Sequence, residues 1–443
     1  MLLALAPARA DDFGSQNIAN QNDYALLREN ATICLDTRQA ADKRLSSCTQ
    51  ALIRQLLSGA PQANLYLARA QVEHQGGDDQ AARRDFDAAV REDPRNRVPW
   101  IGRGVFFADL NRHEEAVADL TRAITLAPQD PTAYSNRGRV YASIQAYAPA
   151  IADFTTVLRL KPSDAATFFD RGLAYERTQH TQLAIEDYRN AVRWDPSLAP
   201  AYAALGRLVE STDPEAALTS FTTAIRLDPR SPALTSRARL LLSMGRAEAA
   251  LSDLNQVIAH DATDSVAYVD RGVAKSNLQD AAGALRDYTR SLELTPSVAA
   301  YVNRGNAYLQ LDRADAALAD FNGALRLDPR DGAALLGRAN ADYAARRLSA
   351  GLEDYTQLIA ADPLDALAYF RRGNLRFDLQ QFAAAVTDYS ASLRINPQQP
   401  VALFNGSLAA ARLGRRQQAE ADRRRALALD PSIGSGERSE IAR

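Results

Sequence analysis

The side chains able to do chemistry in this chain are four histidines, two cysteines and a long series of arginines and aspartates. His74, His113, His180 and His260 stand in unrelated surroundings. None lies in an H-E-x-x-H helix, and Cys34 and Cys48 do not supply the paired spacings of a zinc site. There is no P-loop, no Ser-x-x-Lys, and no G-x-G-x-x-G after a strand. "GSG" at 434–436 has no strand before it and no triad partners, so it is not a nucleophile elbow. Carboxylates are many but evenly spread, as on a solvated surface, and "HEEA" at 113–116 reads as a solvated turn. These residues predict no metal, no cofactor and no enzyme.

Net charge is −2, without a long run of one sign. A general nucleic-acid binder needs a basic stripe to replace counterions, so that class is excluded. No apolar run approaches the ~20 residues of a membrane span, so no integral membrane segment is expected. "MLLALAPARADD" at the start has a short apolar stretch and then Ala8-Arg9-Ala10, the A-x-A form of a signal-peptidase site. It lacks a basic leading region. We read residues 1–10 as the remnant of a secretory signal, which implies a periplasmic or secreted protein; the alternative is a frayed cytoplasmic N-terminus.

Positioning is the business of a repeat. "ADFNGALRLDP" at 319–329 returns as "ADFTTVLRLKP" at 152–162 and "TDYSASLRINP" at 387–397. Prolines at 94, 128, 162, 196, 229, 296, 329, 363, 397 and 431 mark a period of 33 or 34 residues, with Ala262 in the one gap. With this proline at position 32, position 4 is large (Tyr134, Tyr301), position 8 small (Gly138, Gly305) and position 24 mostly aromatic (Phe154, Tyr389). Apolar residues recur at helical spacing through positions 4, 8 and 11 and through 20, 24, 27 and 28, predicting two amphipathic helices per repeat. Small residues at 8 and 20 let the helices approach, and the proline stops the second one.

The arginines and aspartates obey the same period. Position 7 is Arg69, Arg103, Arg137, Arg171, Arg237, Arg271, Arg304, Arg338 and Arg372. Position 23 is Asp85, Asp119, Asp153, Asp187, Asp253, Asp287, Asp320, Asp354 and Asp388, and again Asp422. The fifth repeat loses both together, with Leu205 and Ser220. This predicts an ion pair inside each repeat, such as Arg137–Asp153, Arg171–Asp187, Arg271–Asp287 and Arg304–Asp320. The alternative is an arginine stripe for a polyanion, which the aspartates would neutralise.

This pattern over residues 63–431 resembles the tetratricopeptide repeat, eleven times over. The resemblance implies an all-α, right-handed α-solenoid of helix-turn-helix units. Two departures stand out: Arg at position 7, where the family usually has Leu, and Glu73, Lys275, Asp342 and Arg376 at position 11, where it is usually aromatic. In this family the first helices line a concave groove through positions 2, 5, 6, 9, 12 and 13. Here that face carries Asn303, Asn306, Asn340, Asn374 and Asn405, with Tyr343, Phe370, Phe377 and Phe404. Asn both donates and accepts, so the row suits an extended peptide backbone. It is similar to, though less complete than, the asparagine ladder of O-linked GlcNAc transferase. The alternative is a merely wet polar face. No three successive repeats supply the family's carboxylate clamp, so chaperone-tail binding is not expected.

The expected organisation is a signal remnant (1–10), a linker (11–22), an N-terminal helical cap (23–60), repeats over 61–431 and a tail (432–443). In the cap "SSCTQALI" (46–53) aligns with the second helix, so a hairpin would bring Cys34 and Cys48 within disulfide reach. The alternative is two buried free thiols. "C…SSCTQALI" also looks like the leader of secreted bacterial members of the family. The implied function is a non-catalytic scaffold for a protein or extended peptide, or alternatively an accessory subunit of an envelope enzyme complex.

Overall fold

The computed structural model describes residues 21–434. These hold 24 α-helices and a closing 3-10 turn, Pro431–Gly434, with no strand among them. The signal remnant (1–10), most of the linker and residues 435–443 of the tail lie outside the described residues. The chain divides into two compact bodies, Met1–Pro229 and Arg230–Arg443.

The first body opens with α1 (Gln21–Leu35) and α2 (Ala41–Ile53). Five helix pairs follow. They are α3 (Ala60–Gln75) and α4 (Asp79–Glu92), α5 (Arg97–Asp109) and α6 (His113–Leu126), and α7 (Pro131–Ser143) and α8 (Tyr147–Leu160). Next come α9 (Ala165–Arg177) with α10 (Thr181–Trp194) and α11 (Ala199–Val209) with α12 (Pro214–Leu227). The second body holds six pairs, beginning with α13 (Ala233–Ser243) and α14 (Ala247–His260), and α15 (Ser265–Asn277) and α16 (Ala281–Leu294). It continues with α17 (Val298–Gln310) and α18 (Ala314–Leu327), and α19 (Gly332–Ala344) and α20 (Leu348–Ala361). It ends with α21 (Ala366–Asp378) and α22 (Phe382–Ile395), then α23 (Pro400–Arg412) and α24 (Arg416–Leu429). Within each body a second helix packs on the first helix of its own repeat and on the first helix of the next, so each body is a stacked solenoid.

Local chemistry sets these boundaries. Asn96, Asp130, Asp164, Asp264, Ser297, Asp331 and Asp365 each cap a first helix by accepting a backbone N–H of its opening turn. The turn inside the repeat needs one left-handed residue, and Asn111, Gln145, Gln179, Gln279, Asp312, Arg346 and Gln380 take it with φ of 55–63°. Small position 8 has a direct cause. A Cβ on Gly138 or Gly172 would stand 2.7 Å from the ring of Phe154 or Tyr188.

At the N-terminal end the structure joins Cys34 of α1 to Cys48 of α2, with Cα atoms 4.8 Å apart. Both are fully buried among Leu27, Ala31, Ala51, Leu65 and Ala68. Buried Arg44 donates from Nε to the Cys34 carbonyl (3.1 Å), satisfying a carbonyl at the end of α1. His113 corrects its sequence reading. It opens α6 rather than lying in a turn, and its Nδ1 is enclosed with no hydrogen-bond partner among the described residues.

Candidate binding face

Each position-7 arginine forks onto the aspartate of its own repeat. Nε and Nη2 donate to the two carboxylate oxygens at 2.5–3.0 Å from Arg69, Arg103, Arg137, Arg171, Arg237, Arg271, Arg304, Arg338 and Arg372. The aspartates are buried and the arginines half-buried, so the bonds act in a low-dielectric setting. Hydrogen bonds to Asp187 and Asp320 raise the Arg171 and Arg304 guanidinium pKa values above their ordinary range. The polyanion alternative is thereby removed, because these cations are already paired.

A second link escaped the sequence reading. Nη1 of the arginine reaches back to position 25 of the preceding repeat: Arg137 to Thr121 (2.9 Å), Arg171 to Thr155 (3.0 Å), Arg271 to Asn255 (2.9 Å), Arg338 to Asn322 (2.8 Å) and Arg372 to Thr356 (3.1 Å). Each of these five arginines therefore staples two repeats. A signal was present: position 25 is Thr, Asn or Asp before an arginine-bearing repeat, but Arg189 before the repeat with Leu205. The unusual position-11 residues belong to the same cluster. Lys275 and Arg376 add a second cation to Asp287 and Asp388, each at 2.8 Å. Glu73 and Asp342 instead place a second carboxyl beside Asp85 and Asp354. Burial first, and then that neighbouring aspartate, push Glu73 up to about 7 and raise Asp342.

On the face of the first helices, side chains of successive repeats bond one another. In the first body Arg139 donates to Asp170 (2.6 Å) and Arg207 to Glu176 (3.3 Å). In the second, Arg239 donates to Asp270 (2.7 Å), Arg371 to Asn340 (2.6 Å) and Asn405 to Asn374 (3.0 Å). Position 24 adds to this: the hydroxyls of Tyr355 and Tyr389 donate to Asn340 (2.9 Å) and Asn374 (2.8 Å).

These bonds correct the five-asparagine groove. Asn374 and Asn405 are buried, and with Asn340 they tie helices together instead of facing an open channel. Phe370 and Phe404 are likewise core residues, Phe370 lying against Tyr389. Phe377 is half-buried against Phe382, and Tyr343 is half-buried on α19. Asn303 and Asn306 on α17 differ. Asn303 is half-exposed, Asn306 is exposed, and neither makes a side-chain hydrogen bond among the described residues. Their neighbours explain this. Position 24 of their repeat is Phe321, which has no hydroxyl, position 6 of the next repeat is Gly337, and position 9 of the one before is Val273.

Tetratricopeptide-repeat family models match residues 136–199, 202–267, 269–332 and 336–400, and a further TPR repeat model matches 104–145. No curated protein matches the chain. Similar solved structures include the C-terminal part of a TPR repeat-containing protein from Cytophaga hutchinsonii, at 19% identity and TM-score 0.45, covering 53% of this chain and 97% of that one. PilF of Pseudomonas aeruginosa is 20% identical with TM-score 0.43, covering 50% and 100%. MamA of Desulfovibrio magneticus RS-1 is 26% identical with TM-score 0.35, covering 38% and 97%. The family matches run through most of the repeat array just described, and the chain belongs to the tetratricopeptide repeat family.

Proposed function

We propose that this protein is a non-catalytic scaffold that holds an extended segment of a partner protein on the first-helix face of its second body, around Asn303 and Asn306. Protein interaction is the general business of tetratricopeptide repeats. One observation carries the narrower reading. At positions 6 and 9 of this face Asp270, Asn340, Arg371, Asn374 and Asn405 are held by neighbouring side chains, whereas Asn303 and Asn306 at the same positions keep unused donors and acceptors on adjacent turns of α17. Amide side chains can pair with backbone N–H and C=O groups of any sequence. Half-buried Tyr343, on the next first helix, adds an apolar contact for selectivity. The Cys34–Cys48 disulfide supports placement in an oxidising compartment, the periplasm or outside the cell.

The test is capture of an extended-peptide library by the full chain and by an Asn303→Ala/Asn306→Ala variant. We expect capture to be lost in the variant with no change in melting temperature, since these side chains bond nothing among the described residues. Equal capture by both would overturn the reading. Cell fractionation with thiol trapping checks the compartment: a cytoplasmic, reduced Cys34–Cys48 pair would refute it.

A further inference from the structure

In the second body the turns between first and second helices lie side by side. Arg347 on the α19–α20 turn donates to Asp315 of α18 (2.8 Å). The Arg412 guanidinium lies over the Phe382 ring at the start of α22 (6.0 Å). A shallow depression between adjacent turns is lined by Arg346, Arg347, Leu348, Ser349, Ala350 and Leu379. This edge gathers Arg313, Arg346, Arg347, Arg412, Arg415 and Arg416, every one exposed, against three aspartates, Asp312, Asp315 and Asp378. The whole chain is net negative, so this is a local inversion.

Arginine here runs against local helix energetics. The N-cap positions of α18, α20 and α24 are Arg313, Arg347 and Arg415, none of which makes a capping bond, and Arg416 opens α24. A cation at a helix N-terminus opposes the dipole, and a capping Asp would be the stabilising choice. The corresponding turns before α4, α12 and α16 use Asp78, Asp213 and Asp280 as caps, while α6 and α14 again begin after an arginine, Arg112, which is tied to Glu115 (3.0 Å), and Arg246. At α18 and α20 the cap arginine has a partner within the fold, Arg313 over the Tyr308 ring (4.8 Å) and Arg347 on Asp315, but at α24 Arg415 and the adjoining Arg416 bond nothing among the described residues, and neither does Arg346 on the α19–α20 turn. Apolar groups alternate with these cations, since Leu311 and Leu413 are exposed on the same turns and Leu379 lines the depression.

We propose that this turn edge, formed by the α17–α18, α19–α20 and α23–α24 turns, is a second docking surface that takes an acidic polypeptide segment interspersed with apolar residues. Carboxylates suit the guanidinium forks, which bind them bidentately. The leucines between the arginines favour a polypeptide with apolar side chains over a polysaccharide or a lipid headgroup layer, neither of which fills such a contact. The proposal uses none of Asn303, Asn306 and Tyr343, so the two readings fail independently.

The test measures binding of a fluorescein-labelled Glu-Glu-Leu repeat peptide to the full chain by anisotropy, at two salt concentrations. A triple variant, Arg346→Gln/Arg415→Gln/Arg416→Gln, is compared with Asn303→Ala/Asn306→Ala. We expect the arginine variant to lose about tenfold or more in affinity and most of the salt dependence. Its melting temperature should hold or rise, because anti-dipole charges are gone, and the asparagine variant should bind as the parent does. No binding of the peptide by the parent, or equal binding by the arginine variant, overturns the proposal. So does stronger association with phosphatidylglycerol vesicles or dextran sulfate than with the peptide.

Discussion

Cutting the Arg171–Asp187 pair from one side should be costlier than replacing both partners. Arg171 makes two bonds of 2.8 Å to Asp187 and one of 3.0 Å to Thr155. It also lies 5.8 and 5.7 Å from the Phe168 and Tyr175 ring centroids. The Asp187 side chain is 4% exposed. Arg171→Leu strands that carboxylate, and breaking a buried pair this way costs about 3 kcal/mol or more. Asp187→Ser leaves a guanidinium still 17% exposed and still able to reach Thr155, so we expect about 2 kcal/mol. The chain already contains the double replacement. In the fifth repeat Leu205 and Ser220 occupy these positions, and the Ser220 hydroxyl donates to Ala216 O (2.9 Å) within its own helix. The Arg171→Leu/Asp187→Ser protein should therefore lose only about 2 kcal/mol, a coupling of about 3 kcal/mol. A repeat array opens locally, so the readout is hydrogen exchange of α9 and α10 amides in the full chain. Additive losses in the double variant would refute the argument, because Asp187 would then have been satisfied without its arginine.

Three further outcomes follow from the same geometry. Reducing the Cys34–Cys48 bond, which spans 14 residues, should destabilise the α1–α2 hairpin by about 3 kcal/mol, read as faster proteolysis between residues 25 and 57; unchanged cleavage would count against it. Glu73 is pushed up to about 7 from an ordinary 4.5, by burial and by Asp85, and its Oε2 has no hydrogen-bond partner among the described residues. The raised folded value means that its stabilising protonation is complete below 4.5 and lost as pH rises through 7. Glu73→Gln should flatten that part of the melting-temperature profile, and a profile identical to the parent's would sink the assignment. Gly272→Ala would drive a methyl into the Tyr288 ring, costing about 1–3 kcal/mol by overpacking, whereas exposed Gly332→Ala, whose nearest neighbour stands 3.8 Å away, should cost nothing measurable in a parallel melt.

What the sequence settled unaided is the unit. Contacts inside a repeat join residues a fixed distance apart along a rigid hairpin, such as Arg304 and Asp320, 16 residues apart in every arginine-bearing repeat. Periodicity alone therefore revealed the helices, their crossing at position 8 and the ion pair. The use of the face could not be read that way. Asn306, Asn340 and Asn374 share position 9 and look equivalent in the sequence. Their fates are decided by residues on other helices: Tyr355 and Arg371 for Asn340, Tyr389 and Asn405 for Asn374, and for Asn306 the Phe321 and Gly337 that stand at those same positions and carry no polar group to offer. The second bond of Arg137, Arg171, Arg271, Arg338 and Arg372, back to the preceding repeat, escaped for the same reason. Which side chains meet across a repeat boundary depends on how one hairpin is rotated against the next, and that rotation comes from summed packing over the whole boundary, not from any residue's own position in the period.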